Sequence, residues 1–407
     1  MKKLLSILCA AVLLATLVIT CVSCGGSSVS ADFKVGAILI GDENEGYTYA
    51  HINGIRTAAK ELGMSDDQII WKYTVPEDEK CYDAAIDLVE QGCSVIFSNS
   101  YGHQSHMKQA AQECPDVTFV AMTGDQAATS GLSNYKNAFT GVYQSRYVAG
   151  VVAGMKLAEL VADGKLTDAN YDCNNIKLGY VGAYPYAEVV SGFTAYYLGV
   201  KSVVENVTMQ VTYTNSWFDI TAEGTVAEAL AADGCVIISQ HADSTGAPAA
   251  VQALQDKGQV IYCVGYNVDM LSVAPNAALT SPTNTWAVYY KYAIETAANG
   301  GTIDTNWAKG YEADAVGITA LGTACAAGTQ EKVDEVVKGL KDGSIKVFDT
   351  SKFTVGGATL TEYLADVDGD FAPDTNAIWD GYFHESEMRS APYFDIRIDG
   401  IVENNNN

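Results

Sequence analysis

Residues 235–258 read CVIISQHADSTGAPAAVQALQDKG. An apolar, β-branched run stops at a polar loop, a Thr-Gly pair turns the chain, and a segment with helical spacing follows. Because the run is continuously apolar rather than alternating, it suits a strand of a parallel sheet covered on both faces. The loop raises a chemical question. His241 and Asp243 stand two residues apart, either as acid–base machinery or as part of a cradle that holds a ligand unchanged.

The same strand-loop-helix unit recurs outward from this stretch. On the N-terminal side, KVGAILIG (34–41) precedes TYAHINGIRTAAKELG (48–63), whose Ile52, Ile55, Ala59 and Leu62 fall at helical spacing. QIIWKYTV (68–75) precedes EKCYDAAIDLVEQG, SVIFSNS precedes HQSHMKQAAQEC, and VTFVAMTG (117–124) closes a first set. A second set starts after a long helix rich in small residues and holds KLGYVGAY, VTMQVTYTNS, CVIISQHA, VIYCVGYN and AALTSPT as strands. Two βα sets of similar size predict two α/β lobes, each a doubly wound parallel sheet, with any ligand beyond the carboxyl ends of the strands. After residue 329 a helix and a strand are expected in QEKVDEVVKGLKDGSIKVF, and 350–376 reads as irregular surface. Its DVDGDFAPD run alternates carboxylates from Asp366, but Gly369 stands fourth rather than sixth and Ala377 occupies the place of the bidentate Glu, so an EF-hand loop is excluded.

Composition supports a folded chain: 48% of the 407 residues are hydrophobic and 18% charged. The N-terminus differs. MKK, then LLSILCAAVLLATLVIT, then CVSCGGSS has the order of an export signal running into a small-residue junction and a flexible spacer. Residues 1–23 are read as a lipoprotein signal peptide, Cys24 as the lipidated residue and 24–33 as the spacer. Removing Lys2 and Lys3 and no acid takes the formal charge from −25 to −27, which repels polyanions and excludes a nucleic acid polymer as partner. Seven cysteines remain beyond Cys24, with no C-x-x-C and no His-Cys cluster, so free thiols are expected and no metal site.

Catalytic signatures are missing. There is no G-x-S-x-G, no G-x-x-x-x-G-K-[ST] and no G-x-G-x-x-G after the first strand. His103 and His106 lie three apart without a third ligand nearby. What the strand ends carry is a set of aromatic and hydrogen-bonding side chains, Tyr47, Tyr101, Trp217, His241, Asp243, Asn267 and Trp286. Rings can stack on a flat molecule while Asn, His and Asp serve its edge. No catalytic residue and no cofactor is expected.

GVYQSRYVAGVVAGM (141–155), TNSWFDITAEG (214–224), SQHADSTGAPAAVQ (239–252) and VGYNVDM (264–270), together with the lipobox and the two lobes, resemble the basic membrane protein family of ABC-transporter substrate-binding lipoproteins, related to purine nucleoside receptors. The resemblance implies a type I periplasmic-binding-protein fold with three crossovers between lobes. Lobe 1 would hold 34–142 and 283–308, and lobe 2 would hold 143–282 and 309–400 with an irregular C-terminal segment. It also implies capture of a nucleoside, nucleobase or similar heterocycle by a monomer at the outer face of the cytoplasmic membrane, and delivery to permease subunits. By the same resemblance Tyr47 and Trp217 would stack on the base from opposite lobes. Asn267 stands where the family often has a ribose-chelating aspartate, and PTNTW stands where a lysine often follows, so ribose recognition would be weakened. Two rival readings remain: a nucleoside-cleaving enzyme with His241 as acid and Asp243 as base, and a receptor feeding a signalling partner.

Overall fold

The computed structural model describes residues 29–370 and 372–405 of the chain. The expected signal peptide and the expected lipidation site, Cys24, lie outside the described residues. The first lobe is built from β1 (Lys34–Ile38), α1 (Gly46–Glu61), β2 (Ile69–Lys72), α2 (Glu79–Glu90), β3 (Cys93–Ser98), α3 (Gln104–Glu113), β4 (Thr118–Met122) and β5 (Tyr135–Thr140). The second runs through α4 (Val142–Ala162), β6 (Asn175–Gly182), α5 (Ala187–Lys201), β7 (Val207–Tyr213), α6 (Ile220–Ala232), β8 (Ile237–His241), α7 (Gly246–Asp256) and β9 (Tyr262–Val264). The chain then returns through β10 (Pro282–Asn284) to α8 (Trp286–Ala298) and β11 (Asn306–Lys309), and leaves again through β12 (Val316–Ile318), α9 (Thr329–Lys341) and a final strand β13 (Ile401–Glu403).

The first sheet has the order β11-β5-β4-β3-β1-β2 and the second β9-β8-β6-β7-β13, and every one of these pairings is parallel. Each sheet reverses its strand order once near the middle, between β1 and β3 in the first and between β6 and β8 in the second. At such a reversal the flanking loops part and leave a crevice beyond the strand ends. Among the described residues the chain passes between the sheets three times, near Gly141, at β10 and near Gly310. These crossings are tied together: the backbone N–H of Gly141 donates to Lys309 (2.8 Å), and Thr140 Oγ1 donates to Asn284 Oδ1. Two doubly wound lobes joined by three crossovers make the type I periplasmic-binding-protein fold that the resemblance implied.

Apolar helix faces cover both sides of each sheet. α1 and α8 bury Ile55, Ala58, Trp286 and Tyr290 against β1, β3 and β4, while α2 and α3 cover the opposite face with Ala85, Leu88 and Met107. In the second lobe α4 and α5 lie on one face and α6 and α7 on the other. The small residues of α4 have a steric reason: a Cβ on Gly150 would sit 2.1 Å from the Tyr196 carbonyl oxygen, and one on Gly199 of α5 would sit 2.1 Å from that of Tyr147.

The C-terminal segment departs from its reading as irregular surface. It holds few regular elements, yet Phe353, Ile378, Phe383, Phe394 and Ile396 are buried in the second lobe's core, and β13 adds a parallel edge to β7. The strand expected at the end of SIKVF does not form: only an isolated bridge, Asp349 to Tyr382, is present there. All seven described cysteines are free thiols. Among the described residues no helix is long and apolar enough to cross a membrane.

Candidate ligand-binding site

A cavity of about 400 Å³ lies between the lobes at the strand-order reversals. From the first lobe come Asp42 and Glu45 after β1, Tyr47 at the start of α1, and Asn99 and Tyr101 after β3; from the second come Glu188, Trp217, Phe218, Asp243 and Tyr266.

Local structure fixes these groups. Glu45 caps α1 by accepting from the backbone N–H groups of Tyr47 (2.6 Å) and Thr48 (2.9 Å), which suits a carboxylate at a helix N-terminus. The Tyr47 hydroxyl donates to the Asn99 carbonyl (2.6 Å), while Asn99 Oδ1 accepts from the Ile40 N–H (2.8 Å). Thus the loops after β1 and β3 are locked to each other. Tyr101 donates through its hydroxyl to Asp125 Oδ2 (2.9 Å), and Glu77 Oε1 accepts from Ser100 Oγ and the Gly102 N–H. In the second lobe, the Asp243 N–H donates to the Trp217 carbonyl (2.8 Å), joining the loops before α6 and after β8. The Trp217 ring is flanked by Tyr184 at 5.4 Å and Tyr186 at 6.2 Å between centroids. Behind the wall, the Arg146 guanidinium lies 3.7 Å from the Tyr266 ring centroid and donates to the Tyr180 hydroxyl and the Gln240 carbonyl.

Burial dominates the electrostatics. It raises the Glu188 carboxyl to about 7, with Arg146 opposing. It also raises Asp243, helped by the nearby Glu45, Glu223 and Glu188, and it raises Glu45 itself. His241 is pushed the other way, well below its ordinary value, by burial and then by Arg146, so the imidazole is neutral.

Four of the seven residues expected at the ligand line the cavity: Tyr47, Tyr101, Trp217 and Asp243. His241 is buried beneath it, with Nε2 3.3 Å from Glu188 Oε1 and its ring against Tyr266 at 4.9 Å. It makes no hydrogen bond to Asp243, and its Nδ1 has no partner. The acid–base pairing of these two residues is therefore not formed. Asn267 is also displaced from the expected role: its Oδ1 accepts from Asn284 Nδ2 (2.8 Å) and its N–H donates to the Pro282 carbonyl, so it braces the crossover at β10. Trp286 is 1% exposed and stacked on His51 at 4.3 Å in the first lobe's core, because it begins a helix whose apolar face turns to the sheet. His103 is buried with Nε2 on the Val75 carbonyl (2.9 Å), which removes it from any pair with His106. The carboxylates of Asp366, Asp368 and Asp370 do converge, to within 4.8 Å, on the C-terminal segment, and none of them lines the cavity.

The sequence reading missed Glu188, Phe218, Tyr266, Glu45 and Asn99. Phe218 and Tyr266 each adjoin a residue that was singled out: between Tyr266 and Asn267 a one-residue shift decides which side chain faces the cleft, whereas Trp217 and Phe218 both line it. Glu188 lies in the first turn of α5 after a Tyr-rich loop, where an acid reads equally well as a charge near a helix N-terminus.

Two parallel-sheet lobes, three crossovers and an aromatic and acidic cleft between them define a solute-binding protein. The family of PnrA-like ABC transporter substrate-binding proteins matches residues 39–349, well over half of the chain, and the chain belongs to this family. A purine-binding protein of Brucella abortus is 32% identical over 65% of this chain and 69% of its own length. A Haloferax volcanii protein assigned by name to an ABC transporter for glucose is 28% identical over 68% of this chain and 64% of its own. Among solved structures, an ABC transporter solute-binding protein from Aeropyrum pernix superposes with a TM-score of 0.63 at 15% identity, covering 80% of this chain and 94% of its own. One from Conexibacter woesei gives 0.61 at 18%, covering 77% and 98%. These structures share the fold. Members of the family are extracytoplasmic solute receptors of ABC importers and typically carry out no chemistry.

Proposed function

We propose that this chain is a lipid-anchored receptor that captures a purine, as nucleobase or nucleoside, by closing its lobes and hands it to a permease as a monomer. The observation that carries the reading is the composition of the cleft: rings from both lobes (Tyr47 and Tyr101, Trp217 and Phe218) on the same walls as carboxyl side chains. Flat faces suit a stacked base, and the carboxyls suit its N–H donors and ribose hydroxyls. The purine-binding relative supports this. The glucose-named relative marks a sugar as the competing ligand; the five rings that line the cavity, Tyr266 included, favour the flat base.

Mass spectrometry of what co-purifies, followed by calorimetric titration with adenine, guanine, hypoxanthine, their ribosides and glucose, tests the assignment. A purine is expected to bind and glucose not to; the reverse order overturns the reading. The anchor is tested at Cys24, where Cys24→Ala is expected to leave the precursor unlipidated and in the aqueous phase on detergent partition. Lipid still attached to that variant would move the site elsewhere.

A further inference from the structure

Five carboxyl side chains face the cavity, Asp42, Glu45, Glu77, Glu188 and Asp243, and no Lys, Arg or His is among the residues that line it. Five aromatic rings share the same walls. We infer that, within the heterocycle class proposed above and resting on that reading, the site selects a ligand that carries a positive charge on its ring over a neutral one of the same shape.

Among the described residues, none of these carboxyls forms an ion pair with a Lys or Arg, and the imidazole that Glu188 meets, His241, is neutral. Asp42, Glu45 and Glu77 spend oxygens on backbone and side-chain donors, which satisfy lone pairs without cancelling charge. Asp243 Oδ1 is buried with no hydrogen-bond partner at all. Arg146, whose charge opposes the rise of Glu188 and Asp243, lies behind Tyr266 and donates to Tyr180 and Gln240 rather than to either carboxyl. A buried carboxylate is ordinarily paired or neutral. A cation in the cavity supplies the missing partner, and the exposed faces of Tyr47, Trp217 and Phe218 attract the same charge through their quadrupoles. A neutral riboside offers donors to the carboxyls but does nothing comparable to favour their charged forms.

Proton release accompanies such binding. Glu188 and Asp243, facing Glu45, Glu223, Arg146 and neutral His241, hold protons more tightly than free carboxyls. An incoming cation favours their charged forms, so binding releases protons and weakens as pH falls below about 7.

The test uses the full chain in detergent micelles and two matched sets: adenosine, N6-methyladenosine and the ring-alkylated, cationic 1-methyladenosine; and nicotinamide with cationic 1-methylnicotinamide. In the adenosine set, 1-methyladenosine is expected to bind about tenfold or more tighter than its neutral isomer. Proton release should show as a dependence of the binding enthalpy on buffer, and Asp243→Asn should narrow the ratio. If adenosine or N6-methyladenosine binds as tightly as 1-methyladenosine, the charge selection is wrong while the purine reading stands. If no member of the adenosine set binds but 1-methylnicotinamide exceeds nicotinamide, charge selection stands and the purine reading falls. If no cation exceeds its neutral partner in either set, charge selection is overturned.

Discussion

Glu188 sits 3.3 Å from the buried imidazole of His241 with its carboxyl held at about 7 against an ordinary 4.5. The folded lobe thus binds this proton more tightly than the unfolded chain does. The contribution to stability is complete below about pH 4.5 and is lost as pH rises through about 7, on the order of 3 kcal/mol at most. Asp243, also raised by burial, acts in the same direction. Neutral His241, held below its ordinary value, acts the other way as pH falls through about 6.5, so the expectation is comparative: from about pH 5 to about pH 8 the ligand-free wild type should lose more melting temperature than Glu188→Gln; an equal change in the two would remove Glu188 from this role. Phe218 and Trp217 illustrate how a single position divides binding from packing. Trp217 is wedged against Tyr184, whereas Phe218 is 40% exposed in the cleft. Phe218→Ala is expected to weaken purine binding roughly 5- to 150-fold, the range for one stacked base, with little change in melting temperature. Trp217→Ala should lower both. Equal melting losses in the two variants would show that both rings serve packing. Residue type made Tyr47, Tyr101, Trp217 and Asp243 legible as site residues from sequence. Direction did not follow from type: Trp286 and Asn267 stand at equally suitable strand and loop ends, and packing turned the first into the core and the second onto Asn284.

At the scale of elements, α4 and α5 meet where Gly150 and Gly199 admit each other's backbone, and a Cβ on either glycine would stand only 2.1 Å from a carbonyl oxygen of the facing helix. The obstructing atoms are backbone, so no rotamer change relieves the clash. Gly150→Ala should part the two helices and cost about 1–3 kcal/mol, read as a lower urea midpoint with the first lobe's ligand loops intact. A midpoint equal to the wild type would mean the helices slide apart freely. That α4 is a helix rich in small residues was plain from GVYQSRYVAGVVAGM; which helix it meets was not, since helical period records a buried face without naming the neighbour. Parallel strands behaved in the same way. Runs such as CVIISQHA announce themselves because both faces are buried. β13 is three residues long, lies at an edge, and pairs Ile401 with Met209 across a large sequence separation, so neither length nor pattern distinguishes it from loop.

On the scale of the whole molecule, the segment after residue 349 lies beyond the family match and touches both lobes. It is anchored in the second lobe through Phe383, Tyr393 and Phe394. Its reach into the first lobe is polar: Ser390 Oγ donates to Asn306 Oδ1 (3.2 Å), Thr129 Oγ1 donates to the Asp368 carbonyl (3.5 Å), and the Arg389 guanidinium stands 3.8 Å from Asp125 Oδ2. Asp125 also accepts from the Tyr101 hydroxyl, a cavity residue, so one carboxylate links the segment to the ligand site. Arg389 and Asp125 are both 8% exposed. Removing one partner of such a pair leaves the other buried without its counter-charge, at a cost of about 3–5 kcal/mol for a well-buried pair and less at 3.8 Å. Arg389→Gln should accordingly lower the melting temperature and, by loosening the acceptor that orients Tyr101, weaken ligand binding several-fold. Tyr101→Phe removes the hydroxyl alone and separates the two effects: it should weaken binding while leaving Arg389 and Asp125 paired and the melting temperature near the wild type. An Arg389→Gln protein that melts and binds like the wild type would mean that the segment touches the first lobe without contributing to either property.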